Sequence, residues 1–493
     1  MAHGFRLTHA VFQVDVLERD VFDVLYLIRS WRNTFAPINK IPPEILSLLP
    51  DFSDSNHRDR NAIKLTHVCR AWREVFVSRS SLWTDLDCAD EEQTWTYLGR
   101  SKSSPINLSL RRNEGVFPYN PFVRIIPHTI VRLKSLFLEG TPEDVEATTA
   151  HLSHPTPLLE HLSIRAGHRN WLDPNPTLAP TLFDGELSSL RTLSLEFIHT
   201  KLPWRNMVNL TSFTLGHMLP GEVTIEQLLD FFESTPHLCK VNLHSITPAG
   251  TQHGRLVSLP CLTSMHIDSD DPPSILLDHL VIPVGTELTT RAPLLNFLVG
   301  EHLPRSLDNL KNLSNFTTIQ LYFGVGYPCM RFSGPNGEVN TTVITFPANP
   351  TGLVLKSLGQ LNTSKTKWLE LNCSNPPNRN YLYQALLPMN NLHTLMLSQC
   401  RHLYIFIHAL DPSMSPSEVV VCPKLEELIL MFRTDEEILD ITSVVGMAAA
   451  RASRGAKLRT IRIVDELGEV DLDVLELRKH VWNVECGPGV NVS

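Results

Sequence analysis

Leu133-Lys134-Ser135-Leu136-Phe137-Leu138 carries the pattern on which most of the chain is built. An apolar residue is followed three places later by two more that alternate with a single residue of any kind. The pattern returns at Leu159/Leu162/Ile164, Leu190/Leu193/Leu195, Leu210/Phe213/Leu215, Leu238/Val241/Leu243 and Leu262/Met265/Ile267. It resumes at Phe316/Ile319/Leu321, Leu369/Leu371, Leu392/Leu395/Leu397, Leu425/Leu428/Leu430 and Leu458/Ile461/Ile463, and Ile106-Asn107-Leu108-Ser109-Leu110 precedes the series. Alternation of period two predicts a short strand with both apolar side chains on one face, and the leading residue packs beneath them. One such unit cannot bury that face alone; stacked units share a continuous core.

The middle residues of adjacent units lie roughly 20 to 33 apart, near the period of a leucine-rich repeat, which the series resembles in degenerate form. The expected fold is α/β, a short N-terminal helical unit followed by a solenoid at 106–469, with parallel strands on its concave face and helices on its convex face. Thr224-Ile225-Glu226-Gln227 has capping-box form ahead of a helix, and so has Thr434-Asp435-Glu436-Glu437. Two gaps interrupt the count. In the first, Leu280-Val281-Ile282-Pro283 and Glu287-Leu288-Thr289-Thr290 suggest an eroded repeat. In the second, Asn336-Gly337 between two apolar runs predicts a hairpin insertion near 328–347. Residues 470–493 are expected to form a C-terminal cap.

The N-terminal part departs from this pattern. Residues 1–36 read as a helical extension, with a helix from about Val11 to Asn33 whose wide apolar face is expected to pack on the next helices of the chain; partner binding or dimerisation is the alternative. At 37–88, Ile41-Pro42-Pro43-Glu44-Ile45-Leu46 places prolines at a helix start, and Ile63, Leu65, Val68, Cys69, Trp72, Val75 and Phe76 predict one amphipathic helical face. Residues 89–105 read as a joint containing a short helix.

The opening Ile41-Pro42-Pro43-Glu44-Ile45-Leu46, the run Val68-Cys69-Arg70-Ala71-Trp72-Arg73 and the close Ser81-Leu82-Trp83-Thr84 resemble the F-box in the form common in fungal, basidiomycete-type F-box proteins. The resemblance implies docking on a Skp-type adaptor bound to a cullin scaffold, within an SCF-type ubiquitin ligase complex. It nominates Ile41, Pro42, Pro43, Ile45, Leu46, Val68, Cys69 and Trp72 for adaptor contact. A target protein would then be held by the repeats, at the residue between the two strand hydrophobics. Of those positions Phe137, Asn242, His266, Glu370, Met396, Ile429 and Arg462 are the candidates, and Phe137, Met396 and Ile429 are expected as exposed apolar contacts. The alternative is a repeat scaffold for protein interaction with no ligase role.

Composition narrows the classes. The chain has 493 residues, a net charge of -9 and no basic run, so a nucleic-acid surface is not expected. Nine scattered cysteines without a C-x-x-C pair fit reduced thiols, and the start of the chain shows no secretory pattern; a cytoplasmic or nuclear location is expected. No apolar stretch approaches the roughly eighteen residues a membrane span needs. Dinucleotide, P-loop, nucleophile-elbow and zincin motifs are missing, so neither enzyme activity nor a cofactor is expected. His151 with His154, and Asp268-Ser269-Asp270-Asp271, read as surface groups rather than metal sites.

Overall fold

The computed structural model describes residues 2–49, 58–111, 119–167, 175–178, 182–185, 187–200, 207–250, 254–269, 271–291, 309–313, 316–323, 329–334, 342–345, 355, 358, 361–373, 378–414, 419–432, 439–465 and 474–488. The chain divides into two compact units. Unit one holds residues 1–167 with 181–187, and unit two holds 168–180 with 188–493.

Unit one runs α1 (Ala2–Thr34), α2 (Pro43–Leu46), α3 (Arg58–Thr66), α4 (Arg70–Ser78), β1 (Asp85–Asp87), α5 (Glu91–Ser101), β2 (Ile106–Arg111), α6 (Tyr119–Thr129), β3 (Leu133–Gly140), α7 (Pro142–Thr149) and β4 (His161–Ala166). Pro43 opens α2, where its missing N–H leaves no intrahelical bond unmade. The single helical face expected across Ile63–Phe76 is broken in two. Cys69 is extended (φ -160°, ψ 175°), and Arg73 Nε donates to the Thr66 carbonyl at 3.0 Å, satisfying the end of α3. The break lets α3 fold back on α4 and bury Ala62, Trp72 and Phe76.

Trp83 anchors the chain beyond α4. It is fully buried, donates from Nε1 to the Phe76 carbonyl at 3.0 Å, meets Tyr97 edge-on at 5.0 Å and lies beneath the Arg100 guanidinium. The sheet therefore starts earlier than the expected boundary at residue 106. β1 pairs in parallel with β2, and the segment expected as a joint is α5, the crossover helix between them. β2, β3 and β4 continue the parallel ladder, with Leu108, Leu136 and Leu162 in one buried column and Leu110, Leu138 and Ile164 in the next. A capping box between Thr141 and Asp144 opens α7.

Unit two contains β5 (Thr192–Glu196), β6 (Ser212–Gly216), α8 (Ile225–Ser234), β7 (Lys240–His244), β8 (Val257–Ser258), β9 (Ser264–Asp268), α9 (Ser274–Leu277), β10 (Leu280–Val281) and β11 (Glu287–Arg291). It goes on through β12 (Thr318–Phe323), β13 (Cys329–Ser333), β14 (Thr342–Thr345), β15 (Trp368–Cys373), α10 (Arg379–Leu386), β16 (Thr394–Ser398), α11 (Leu403–Leu410), β17 (Glu427–Phe432), α12 (Ile441–Ser453), β18 (Thr460–Asp465), α13 (Leu477–His480) and β19 (Asn483–Pro488). The expected eroded repeat supplies β11, which pairs with β9 in register. β5, β6, β7, β9 and β11 are parallel neighbours, as are β12, β15, β16, β17, β18 and β19.

The two runs meet through the predicted hairpin. β12, β13 and β14 form an antiparallel meander, and β14 pairs in parallel with β11. The insertion thus supplies strands of the sheet. Two apolar columns run through the later part, Ile319, Leu369, Leu395, Leu428 and Ile461, then Leu321, Leu371, Leu397, Leu430 and Ile463, all buried. Each such leucine contributes about 1.5–3 kcal/mol relative to exposure.

Several of the crossovers are helical. Both bonds of the Thr224–Gln227 capping box form ahead of α8, whose Phe231 packs on Phe213 at 4.3 Å. The second expected box falls on 434–437, outside the described residues; α12 begins at Ile441, with the Asp440 carboxylate accepting from the Thr442 N–H at 3.0 Å. On α12, the fully buried Arg451 donates to the carbonyls of Leu410, Val421 and Cys422 at 3.4, 2.7 and 2.8 Å. It ties one crossover to the two segments before it. No helix among the described residues is long and apolar enough to cross a membrane.

Candidate interaction surfaces

The eight residues nominated near the N-terminus divide by burial. Leu46 and Trp72 are core: they sit at the α2–α4 contact and beside Phe76, and cannot meet a partner directly. Ile41 and Cys69 are half-buried. Pro42, Pro43, Ile45 and Val68 are exposed, Ile45 at 56% and Val68 at 52%. Ile38, Leu48 and Leu49 are exposed as well, and sequence reasoning missed them. Arg79 also donates to the Ser47 carbonyl, fixing the end of α2 to the chain beyond α4.

The nominated strand positions form rows because the ladders are in register. In unit one, Asp87, Ser109, Phe137 and Ser163 stand side by side. Phe137 is half-buried, and the Arg111 guanidinium covers its ring at 4.5 Å. In unit two, Ser194, Thr214, Asn242, His266 and Thr289 make the first run, and Gln320, Glu370, Met396, Ile429, Arg462 and Glu485 the second. Asn242, His266, Glu370, Met396 and Arg462 are half-buried. Ile429 corrects the expectation: it is buried, not exposed. It stands between Met396 and Arg462, and Arg462 is drawn across the row by Glu427 at 3.2 Å and Glu485 at 2.8 Å.

The first end of that row is polar and hydrogen-bonded. Gln320 donates to Glu370 at 2.9 Å, and Arg331 of β13 lies over the Tyr322 ring. Burial, and next the Glu370 charge, push the Tyr322 hydroxyl up to about 12, so it stays protonated and able to donate. Arg331 arrives only through the meander.

A third group lies on β7 and β9. The ligand atoms of His244, His266 and Asp268 lie within 4.8 Å of one another, the kind of set that holds a divalent metal. Burial and the neighbouring His244 hold His266 below its ordinary pKa. Arg291 is the register neighbour of Asp268 on β11 and places a competing cation there. His151 and His154 are exposed and belong to no such group among the described residues. Burial pushes Cys88 and Cys422 up to about 12, which makes them poor nucleophiles.

No family model and no curated protein matches the chain. Among solved structures, it is similar to the crystal structure of a TLR13–ssRNA13 complex, with 14% identity, 83% of this chain covered and a TM-score of 0.34. The similarity spans 62% of the length of that chain. The architecture rests on the strand register itself: mixed α/β, with a large parallel sheet in unit two whose successive strands stack in register.

Proposed function

We propose that the chain is the substrate-recognition subunit of an SCF-type cullin-RING ubiquitin ligase. The helices at 37–88 are the F-box and bind a Skp-type adaptor; the open rows of the ladder bind a target protein. The chain performs no chemistry of its own and acts by tethering, which raises the effective concentration of a target lysine. The observation that carries this reading is the exposure of Ile45, beside Pro42-Pro43, and of Val68, beside the Cys69–Arg73 run. Apolar side chains left on the surface beside a packed helical hairpin are what a docking face offers.

The test is calorimetric titration of the full chain with a purified Skp-type adaptor. Wild type should bind. Ile45→Asp combined with Val68→Asp should abolish binding while circular dichroism stays unchanged, because neither side chain is in the core. A wild-type chain that does not bind leaves the scaffold reading in its place.

A further inference from the structure

We infer that α1 is a self-association element that pairs antiparallel with α1 of a second copy of this chain. The inference is independent of the ligase reading. Val14, Leu17, Val21, Val24, Ile28 and Trp31 of α1, and Phe35 in the turn directly after it, recur alternately three and four residues apart, the spacing of a coiled-coil seam. All seven are exposed, Leu17 at 64% and Trp31 at 69%. Leu25 and Leu27 flank the seam and are exposed too.

Among the described residues, the rest of unit one does not take up this face. A groove of about 640 Å³ lies between α1 and the start of α4, and on α1 it is lined by Tyr26, Arg29, Ser30, Asn33 and Thr34, all off the seam. α4 therefore approaches the other side of the helix. The packing of α1 on the helices after it, which its apolar content suggests, is not what its seam does.

Charge selects the occupant and its direction. Asp15, Glu18, Asp20 and Asp23 outnumber the one cation, Arg19, in the first half of the seam region, and Arg29 and Arg32 stand without an acid in the second. A parallel pair would place acid beside acid. An antiparallel pair that sets Val24 opposite Ile28, Val21 opposite Trp31 and Leu17 opposite Phe35 of the second copy brings Glu18 beside Arg32 at both ends. Glu18 and Arg32 each come directly after a seam residue, the position from which flanking charges reach across.

Sedimentation velocity of the full chain over a concentration series tests this. Wild type should show a concentration-dependent dimer, and Val24→Asp with Ile28→Asp should leave only monomer. Glu18→Arg and Arg32→Glu should each weaken self-association by roughly tenfold. Mixed in equal amounts, those two single variants should form a heterodimer at least as tight as wild type, because every end pair is then opposite in charge. Both substitutions are on the surface and keep the helix, so the exchange reads pairing rather than folding. A wild-type chain that stays monomeric throughout, or a mixture that fails to restore pairing, overturns the proposal; association only with the Skp-type adaptor present, with no chain dimer, does so as well.

Discussion

Leu395 on β16 and Leu17 on α1 are the same side chain in opposite settings. Leu395 is 1% exposed, held between Leu369 and Leu428 by strand register; Leu17 is 64% exposed, on a helix whose seam meets nothing described in unit one. In the ladder, backbone pairing brings apolar residues from consecutive repeats into one column, so burial is a consequence of topology. Along the seam of α1 and at Ile45 on α2 no neighbour is imposed, and burial depends on what arrives from outside. The first kind of leucine is spent on folding, whereas the second remains free for association.

Substitutions in the two regions should therefore separate stability from binding. The largest loss is expected for Phe231→Ala, which empties a fully buried site against Phe213 and should lower stability by about 3–5 kcal/mol in a denaturant melt. Arg451→Met should cost about 2–3 kcal/mol, since three buried carbonyls lose their donor. Arg451→Lys should recover only part of it, because an ammonium lacks the planar fork.

Smaller effects sharpen the contrast. Thr224→Ala removes the cap of α8 and should cost about 1 kcal/mol. His266 supplies a pH dependence. Its folded pKa is lowered, by burial first, so below the unfolded value of about 6.5 the unfolded chain takes up the proton more readily. Stability should fall as pH drops through that range, and His266→Gln should reduce the slope. The paired change Ile45→Asp and Val68→Asp should move stability by no more than about 0.5 kcal/mol, while removing adaptor binding. A large stability loss there would mean that the two regions do not differ in this way.

The ladder was legible because period-two leucines encode both the strand and its buried face. Every strand expected from a repeat formed, including β11 from Glu287–Thr290. Long-range partners were not legible. Asn336-Gly337 marks a turn, but nothing local says that β14 will pair with β11. Ile429 shows a second limit: alternation assigns a face, while exposure depends on the side chains in adjoining strands, here Met396 and a tethered Arg462. Apolar content alone likewise could not tell whether α1 would be covered, and the break at Cys69 was hidden because its apolar spacing continues through it.

The meander also bears on the order in which the chain folds. β12 with β13, and β13 with β14, pair strands adjacent in sequence, so they close short loops, whereas β11 must find β14 from beyond Arg291 and β15 must return to β12 from beyond Phe323. Loop-closure entropy favours the local pairs first. Once formed, the three strands present two open edges, one that β11 extends toward β5 and one that β15 extends toward β19. A segment that interrupts the repeat count thus becomes the join between the two runs of repeats.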